Sequence, residues 1–387
     1  MPNLPLIADD GTCDLVIKIL TDYPRDDLAS DEVHQALVSA IVKHGLRPMN
    51  ADVGAITGMD TVSAGFKLAQ LALNSSIGVG HVYHANCAPR RNIVTAESKG
   101  ERVVIGMLAN GVSLLIVNSG FAMAPFRPLI EAGQAWFYES RVPDSGSQFR
   151  SRDFFPDATA AVAAHIKAKA EQLGRDAVKA LVDGQQAYKL FEGLDLITDP
   201  LAADSLPELE TGRVWYVDNF GNIKLNLKHD ELLAWQSRGE TLNVCINGHV
   251  APVLVSGAGF SQGEGVMAIT RGSSGWSTDG GKPMRFAEIF LRGGSASGAF
   301  AGVNPGDQVT AIARTDLEAA SKALRAADPA RLMALGLFNM NEAQLIALFE
   351  QSGLICDGFN ATRLRRALDD GDLLDRLEAY HALRRGE

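Results

Sequence analysis

The sequence is short of the residues that announce disulfide, metal or membrane chemistry. Its four cysteines, Cys13, Cys87, Cys245 and Cys356, are scattered along 387 residues with no CxxC among them. Neither a disulfide framework nor a zinc site is read from that spacing. The eight histidines form no HxH and no HExxH, so no metal site is legible. His81 and His84 flank a strand-like segment, where a structural role is expected. No apolar run approaches the roughly 20 residues of a membrane span. The opening MPNLPLIADDGT carries acids where a signal peptide carries bases, and the expected location is the cytoplasm. A formal net charge of −10 argues against non-specific binding to nucleic acid or to an anionic membrane surface. No GxxxxGK[ST] occurs. SGAGFSQGEG and RGGSASGAF are Gly-rich, but neither is a GxGxxG placed between strand and helix, and they read as β-turns. GSSGW is not the GxSxG nucleophile elbow.

What is there is a globular chain, 46% hydrophobic and 21% charged, long enough for two or three domains. DLVIKILTD (14–22) reads as a buried strand ending in an acid. Asp31 is the expected cap of a helix through DEVHQALVSAIVKHG, stopped by Gly45, and Asp60 starts a second helix. IGVGHVYHAN (77–86), RVVIGML (102–108) and SLLIVNSG (113–120) read as strands. Alternating strands and helices predict an α/β domain over 1–196 with a mainly parallel sheet. Its ligands would sit where strands give way to loops. A helix over 157–174 is expected between Asp157 as cap and Gly174 as stop. The Pro- and Asp-rich 197–212 reads as a linker. Short strands between Gly-rich turns predict a small all-β barrel over 213–315. The pattern of 316–387 predicts a helical extension. No internal repeat is present.

Three acids end strands or follow them closely: Asp22, Asp27 and Asp218. A carboxylate there can chelate a ribose diol or hold a cation; capping of turns is the plain alternative. SQFRSRDFFPDAT (147–159) puts Arg150, Ser151 and Arg152 just ahead of a helix start. Backbone N–H groups at a helix N-terminus favour an anion, and Phe154 and Phe155 would exclude water. The alternative pairs Arg152 with Asp153 at the surface and buries the phenylalanines.

Taken in order, ILTDYPRDD, SQFRSRDFF, VDNFGNIKLN, INGHVAPVLVSG, FAEIFLRGGSASGAF and NPGDQV resemble the S-adenosylmethionine hydrolase (hydroxide adenosyltransferase) and fluorinase/chlorinase family. Its counterparts are LTDFGxxD, then FHGRDxF or FYSRE, then IDxFGNxxTN and the barrel strands. The likeness spans residues 14–315. It implies an α/β domain followed by a β-barrel, and a homo-oligomer, typically a trimer. It also implies substitution at C5′ of S-adenosylmethionine, which is substrate rather than cofactor. By position, Asp22 would bind the ribose hydroxyls, and Asp27 and Asp218 would face the methionine ammonium. Phe220 and Asn222 would lie on the adenine side, Ser273 would meet the methionine carboxylate, and Phe149 and Ser274 would line the substrate. Ser151 aligns with the serine that holds the halide in the fluorinating branch.

The departures are specific. Where the hydrolases carry DPGVGTxxR, this chain has HANCAPRRN, with Asn86 for the aspartate and Arg90 or Arg91 near the arginine. The hydrolase histidine is Arg150, and PDNG is Val117-Asn118-Ser119-Gly120. An Asp–His arrangement able to deprotonate water is therefore not read from the sequence. Two readings stay open. In one, the nucleophile is an anion held by Ser151 and Arg150. In the other, the scaffold acts on a different, anionic small molecule, or binds a ligand without turnover. The charge of Arg150 favours an anion and disfavours a nearby sulfonium.

Overall fold

A computed structural model describes residues 13–88, 102–140, 149–197, 199–236, 241–247, 249–256, 262–277, 283–300 and 302–313. The chain divides into two compact units, Met1–Leu209 with Trp276–Pro283, and Glu210–Gly275 with Met284–Glu387. Arg90 and the expected helical extension over 316–387 lie outside the described residues.

The first unit runs β1 (Val16–Thr21), α1 (Leu28–Lys43), β2 (Asn50–Ala55), α2 (Thr61–Leu73), β3 (His81–Asn86), β4 (Arg102–Leu108), β5 (Ser113–Asn118), α3 (Arg127–Glu131), β6 (Ala135–Ser140), α4 (Arg150–Asp153), α5 (Phe155–Leu173), α6 (Arg175–Asp183) and β7 (Leu196–Ile197). The sheet order is β2-β1-β3-β5-β4-β6-β7. β2, β1, β3 and β5 are parallel neighbours. β4 is antiparallel to both β5 and β6, and β7 is antiparallel to β6. β6 therefore points the same way as β5, and the sheet is mostly parallel. β4 and β5 read as near-continuous apolar runs because both faces are covered. α1 links β1 to β2, and α2 returns past β1 to β3. Right-handed crossovers travelling in opposite directions put the two helices on opposite faces. On the face of α1 and α5, Ile17, Ile19, Val82 and Leu115 pack with Leu37 and Ile166.

Two expected helix starts are corrected. α1 is capped by Asp27, not Asp31: the Asp27 carboxylate accepts from the Ala29 N–H at 2.8 Å, and Asp31 lies inside the first turn. Asp27 has the extended backbone a cap requires. α5 starts at Phe155, not after Asp157, and has no side-chain cap. The turn of α4 feeds straight into it, the Phe154 carbonyl accepting from Ala158 N–H. Asp157 instead pairs with Lys43 and His44 on α1. The cap at Asp60 and the stops at Gly45 and Gly174 are as expected, both glycines with positive φ. The 197–212 stretch is not wholly irregular, because β7 and a short 3₁₀ turn over Ala203–Ser205 fall in or beside it.

The second unit runs β8 (Val214–Val217), β9 (Ile223–Lys228), α7 (His229–Gln236), β10 (Thr241–Ile246), β11 (His249–Val255), β12 (Met267–Ser277), β13 (Pro283–Leu291), α8 (Ala296–Ala299) and β14 (Val309–Ala313). The order is β14-β10-β11-β12-β13-β9-β8. An Arg213–Gln308 bridge and backbone bonds between Val214 and residues 306–307 bring the two edge strands together. The sheet is a nearly closed barrel, which hides the edges an open sheet exposes. Ile223, Leu242, Val244, Val253, Ile289 and Phe300 fill it.

Candidate functional site

β1 and β3 are hydrogen-bonded neighbours that end together, Thr21 opposite Asn86. The chain leaves β1 through half-buried Asp22, whose N–H donates to the Asn86 carbonyl at 3.2 Å. Onto this edge α4 sets Ser151, 9% exposed. The Asn86 side-chain amide donates to Ser151 Oγ at 2.8 Å, and the Tyr23 hydroxyl is 2.9 Å from the same oxygen. Tyr23 in turn meets the edge of Phe149, ring centroids 5.7 Å apart. The strand-end location expected for an open α/β sheet thus gathers Asp22, Asn86, Phe149, Arg150 and Ser151 from the predicted set, with Arg150 half-buried as the first residue of α4.

Hydrogen-bond accounting fixes what this cluster can do. Ser151 and Tyr23 carry one O–H each, and their mutual bond uses one of the two. Asn86 supplies its own N–H to Ser151. One hydroxyl proton is left to offer outward, by Ser151 or by Tyr23. The cluster holds an acceptor atom, but Asn86 is no base at neutral pH.

The segment SQFRSRDFF is divided residue by residue. Arg152 turns outward to Asp153 at 2.7 Å and Glu32 at 3.2 Å, and stacks 5.0 Å over Phe149. For Arg152 the plain surface pairing therefore holds. Phe155 is buried. Ser151 lies within α4, whose four residues are too few to make a helix-terminal anion site, and its side chain is used in the cluster.

Sequence reasoning passes over three participants: Tyr23, Thr21 and His84. The signal for two of them is the strand alternation. Asn86 points its side chain at Ser151, so Thr21, its register partner, and His84, two residues before it, share that face. His84 is fully buried, its ring 5.0 Å from Phe155. Burial pushes its pKa down to about 3. His81, on the other face, bonds Ser75 Oγ through Nδ1 at 2.8 Å, and burial lowers its pKa to about 4. Burial thus disfavours the charged form of both histidines. Asp27 is exposed and occupied as the α1 cap.

The remaining predicted residues belong to the second unit. Asp218 organises the turn DNFGN. One carboxylate oxygen accepts from the Phe220 and Asn222 N–H groups at 3.0 Å, and the other from Asn222 Nδ2 at 3.1 Å and Lys224 Nζ at 3.2 Å. Burial raises its pKa, but the Asn222 hydrogen bonds and the Lys224 charge outweigh this and hold it below the usual carboxylate value. Lys224 is buried between Asp218 and Glu288, 3.1 Å on the second side. Phe220 tops the turn at 80% exposure. Ser273 is exposed, its carbonyl bonded to Arg285, while Ser274 is buried. Neighbours in a strand face opposite ways, so the two side chains lie on opposite faces of β12. Among the described residues no three His, Cys, Asp or Glu side chains group as a metal site, and no helix is long and apolar enough to cross a membrane.

No protein-family model and no curated protein matches the chain. Among solved structures it resembles an uncharacterized conserved protein from Thermotoga maritima, with TM-score 0.51 and 18% identity, covering 77% of this chain and 100% of that one. A conserved hypothetical protein from Thermus thermophilus follows at TM-score 0.45 and 19% identity, with the same coverage. The Thermotoga likeness supports the fold and carries no chemistry.

Proposed function

We propose that the protein catalyses nucleophilic substitution at C5′ of S-adenosylmethionine or a related adenosyl compound and releases methionine. We further propose a cytoplasmic location and, from the resemblance to the S-adenosylmethionine hydrolase and fluorinase/chlorinase family, a homotrimer. The observation that carries the reading is the meeting of Asp22, Asn86 and Ser151 at the ends of β1 and β3. Asp22 and Ser151 come from two of the segments that resemble the family, and Asn86 stands where the hydrolases carry an aspartate. A sulfonium substrate asks for no general acid, because methionine leaves as a neutral thioether. What the site must supply is a ribose clamp and an aligned nucleophile shielded from bulk water. Alignment of this kind is worth about 7–11 kcal/mol of barrier at its best. Asp22 is the clamp, through two oxygens matched to two adjacent hydroxyls. Ser151 and Asn86 hold the nucleophile side. Asp27, exposed beyond β1, is the candidate for the methionine ammonium, with one carboxylate oxygen also accepting from the Ala29 N–H.

Calorimetric titration of S-adenosylmethionine into the wild type and Asp22→Ala tests this. Binding by the wild type, weakened at least tenfold in the variant, is expected. Equal affinity, or no binding by the wild type, would sink the assignment.

A further inference from the structure

We propose that the end of edge strand β2 carries a second small-molecule site, in which Lys18, Lys67 and Arg25 bind a phosphate group, free or borne by a small molecule. This site does not rest on the function proposed above.

The three cations gather on one face of the sheet. Side chains alternate along a strand, so Lys18 faces away from Ile17 and Ile19, which pack towards α1 and α5. Its register partner on β2 is Asp52, and the two pair at 2.9 Å. Two residues on, Gly54 leaves room for the lysine stem: a Cβ there would press on Lys18 Cε at 3.3 Å. α2 brings Lys67 to the next residue, its ammonium donating to the Ala55 carbonyl at 2.6 Å. Arg25 comes from the turn that leaves β1, closed by the Asp27 N–H on the Pro24 carbonyl. That loop lies against the one leading to α2, since a Cβ on Gly58 would stand 3.6 Å from the Asp22 carbonyl. The Ser151 cluster is on the other face, because Asn86 alternates in step with Val82, the register partner of Ile17.

The charges do not balance within the cluster. Asp52 answers Lys18, but neither Lys67 nor Arg25 makes an ion pair among the described residues. Half-buried Lys67 has a backbone carbonyl as its partner, an uncommon state for a lysine withdrawn from water. Burial, then the charges of Lys18 and Arg25, lower its pKa. Burial raises the Asp52 pKa, but the Lys18 hydrogen bond and the charges of Lys18 and Arg25 outweigh it. Arg25 is thus within electrostatic reach of both. Three cations against one carboxylate leave two positive charges, whose mutual repulsion a bound anion would relieve.

The surplus selects the ligand. A phosphate group carries about −1.5 to −2 near pH 7, which matches it, whereas a carboxylate would answer half. Each lysine keeps two N–H donors and Arg25 its whole fork for the phosphate oxygens. The way in is open: the Lys18 side chain is 30% exposed, Asp52 38%, and Arg25 is exposed. The net charge of −10 around the patch disfavours a polyanion such as nucleic acid and favours a small ligand.

The test uses the full chain as wild type, Arg25→Gln and Lys67→Met. Each is titrated by calorimetry with inorganic phosphate, phenyl phosphate and acetate at constant ionic strength. The wild type should bind both phosphates, and acetate at least tenfold more weakly. Each variant should weaken phosphate binding about tenfold. Without phosphate, Lys67→Met should keep or raise the unfolding midpoint, because it relieves repulsion; a lowered midpoint with unchanged phosphate affinity would make Lys67 a clamp on Ala55 and overturn the proposal. Arg25→Gln changes an exposed side chain, so its binding result stands even if Lys67→Met fails to fold. Equal affinity for the two phosphates assigns the free ion, and tighter phenyl phosphate assigns a phosphomonoester. A wild type that binds no phosphate at millimolar concentration, acetate bound as tightly as phosphate, or Arg25→Gln with wild-type affinity overturns the proposal. Phosphate binding by a chain that does not bind S-adenosylmethionine upholds this site and overturns only the function proposed above.

Discussion

Acidification from pH 7 to about 4.5 should destabilise the first unit through two buried histidines. In the unfolded chain a histidine titrates near 6.5. Folded, His84 is pushed down to about 3 and His81 to about 4, in both cases chiefly by burial. The unfolded state therefore binds protons that the folded state refuses. The stability from neutral burial is complete above pH 6.5 and is lost as pH falls from there toward the folded values. By linkage each residue costs about 2–3 kcal/mol between pH 7 and 4.5, a large share of a typical domain's stability. Asp52, Asp157 and Asp218 have lowered pKa values, so their contribution is lost only below the ordinary carboxylate range. The two effects occupy different pH windows. Urea unfolding followed by tryptophan fluorescence at half-unit pH steps reads the slope. His84→Asn, which cannot titrate but keeps hydrogen-bonding capacity, should remove about half of it. A midpoint unchanged from pH 7 to 4.5, or a slope untouched in His84→Asn, would refute the reasoning.

Other substitutions probe the packing of the site. Ser151→Ala leaves the Asn86 amide and the Tyr23 hydroxyl without their shared partner. It should cost about 1–3 kcal/mol in chemical unfolding, and Ser151→Thr should cost less if its hydroxyl keeps the place. Lys224→Met strips the cation from between Asp218 and Glu288; a loss of about 3 kcal/mol is expected, reduced when Glu288→Gln is added. Asp27→Ala should lower thermal stability by about 1 kcal/mol through the lost α1 cap, whereas Asp31→Ala should cost less than half of that.

The elements are legible where local chemistry decides them. Asp60 ahead of an apolar helical run and Gly174 behind another mark both ends correctly, because caps and stops act within a turn. The barrel shows in its short strands and Gly-rich turns. Reversals and junctions are harder. RVVIGML and SLLIVNSG read as two strands, and Asn110-Gly111 between them, with Gly111 at φ 86°, is the turn signal that makes β4 and β5 antiparallel. The starts of α1 and α5 slip because Asp27 and Asp31 are both good caps, and because α4 runs into α5 with no capping side chain. The site is legible as a set of residues but not as a network. Asn86 and Ser151 are 65 residues apart in the chain, and only the sheet order and the placement of α4 bring them together. Thr21 and His84 carry no motif at all. That they share one face of the sheet follows from register, which one residue of slip would abolish.

The most direct test is to incubate the protein with S-adenosylmethionine in water enriched in heavy oxygen and to analyse the products by chromatography and mass spectrometry. Unlabelled methionine is expected, with a nucleoside substituted at its 5′ position that carries the heavy oxygen when water is the nucleophile. Recovery of intact S-adenosylmethionine, or adenosine without the label, would contradict it.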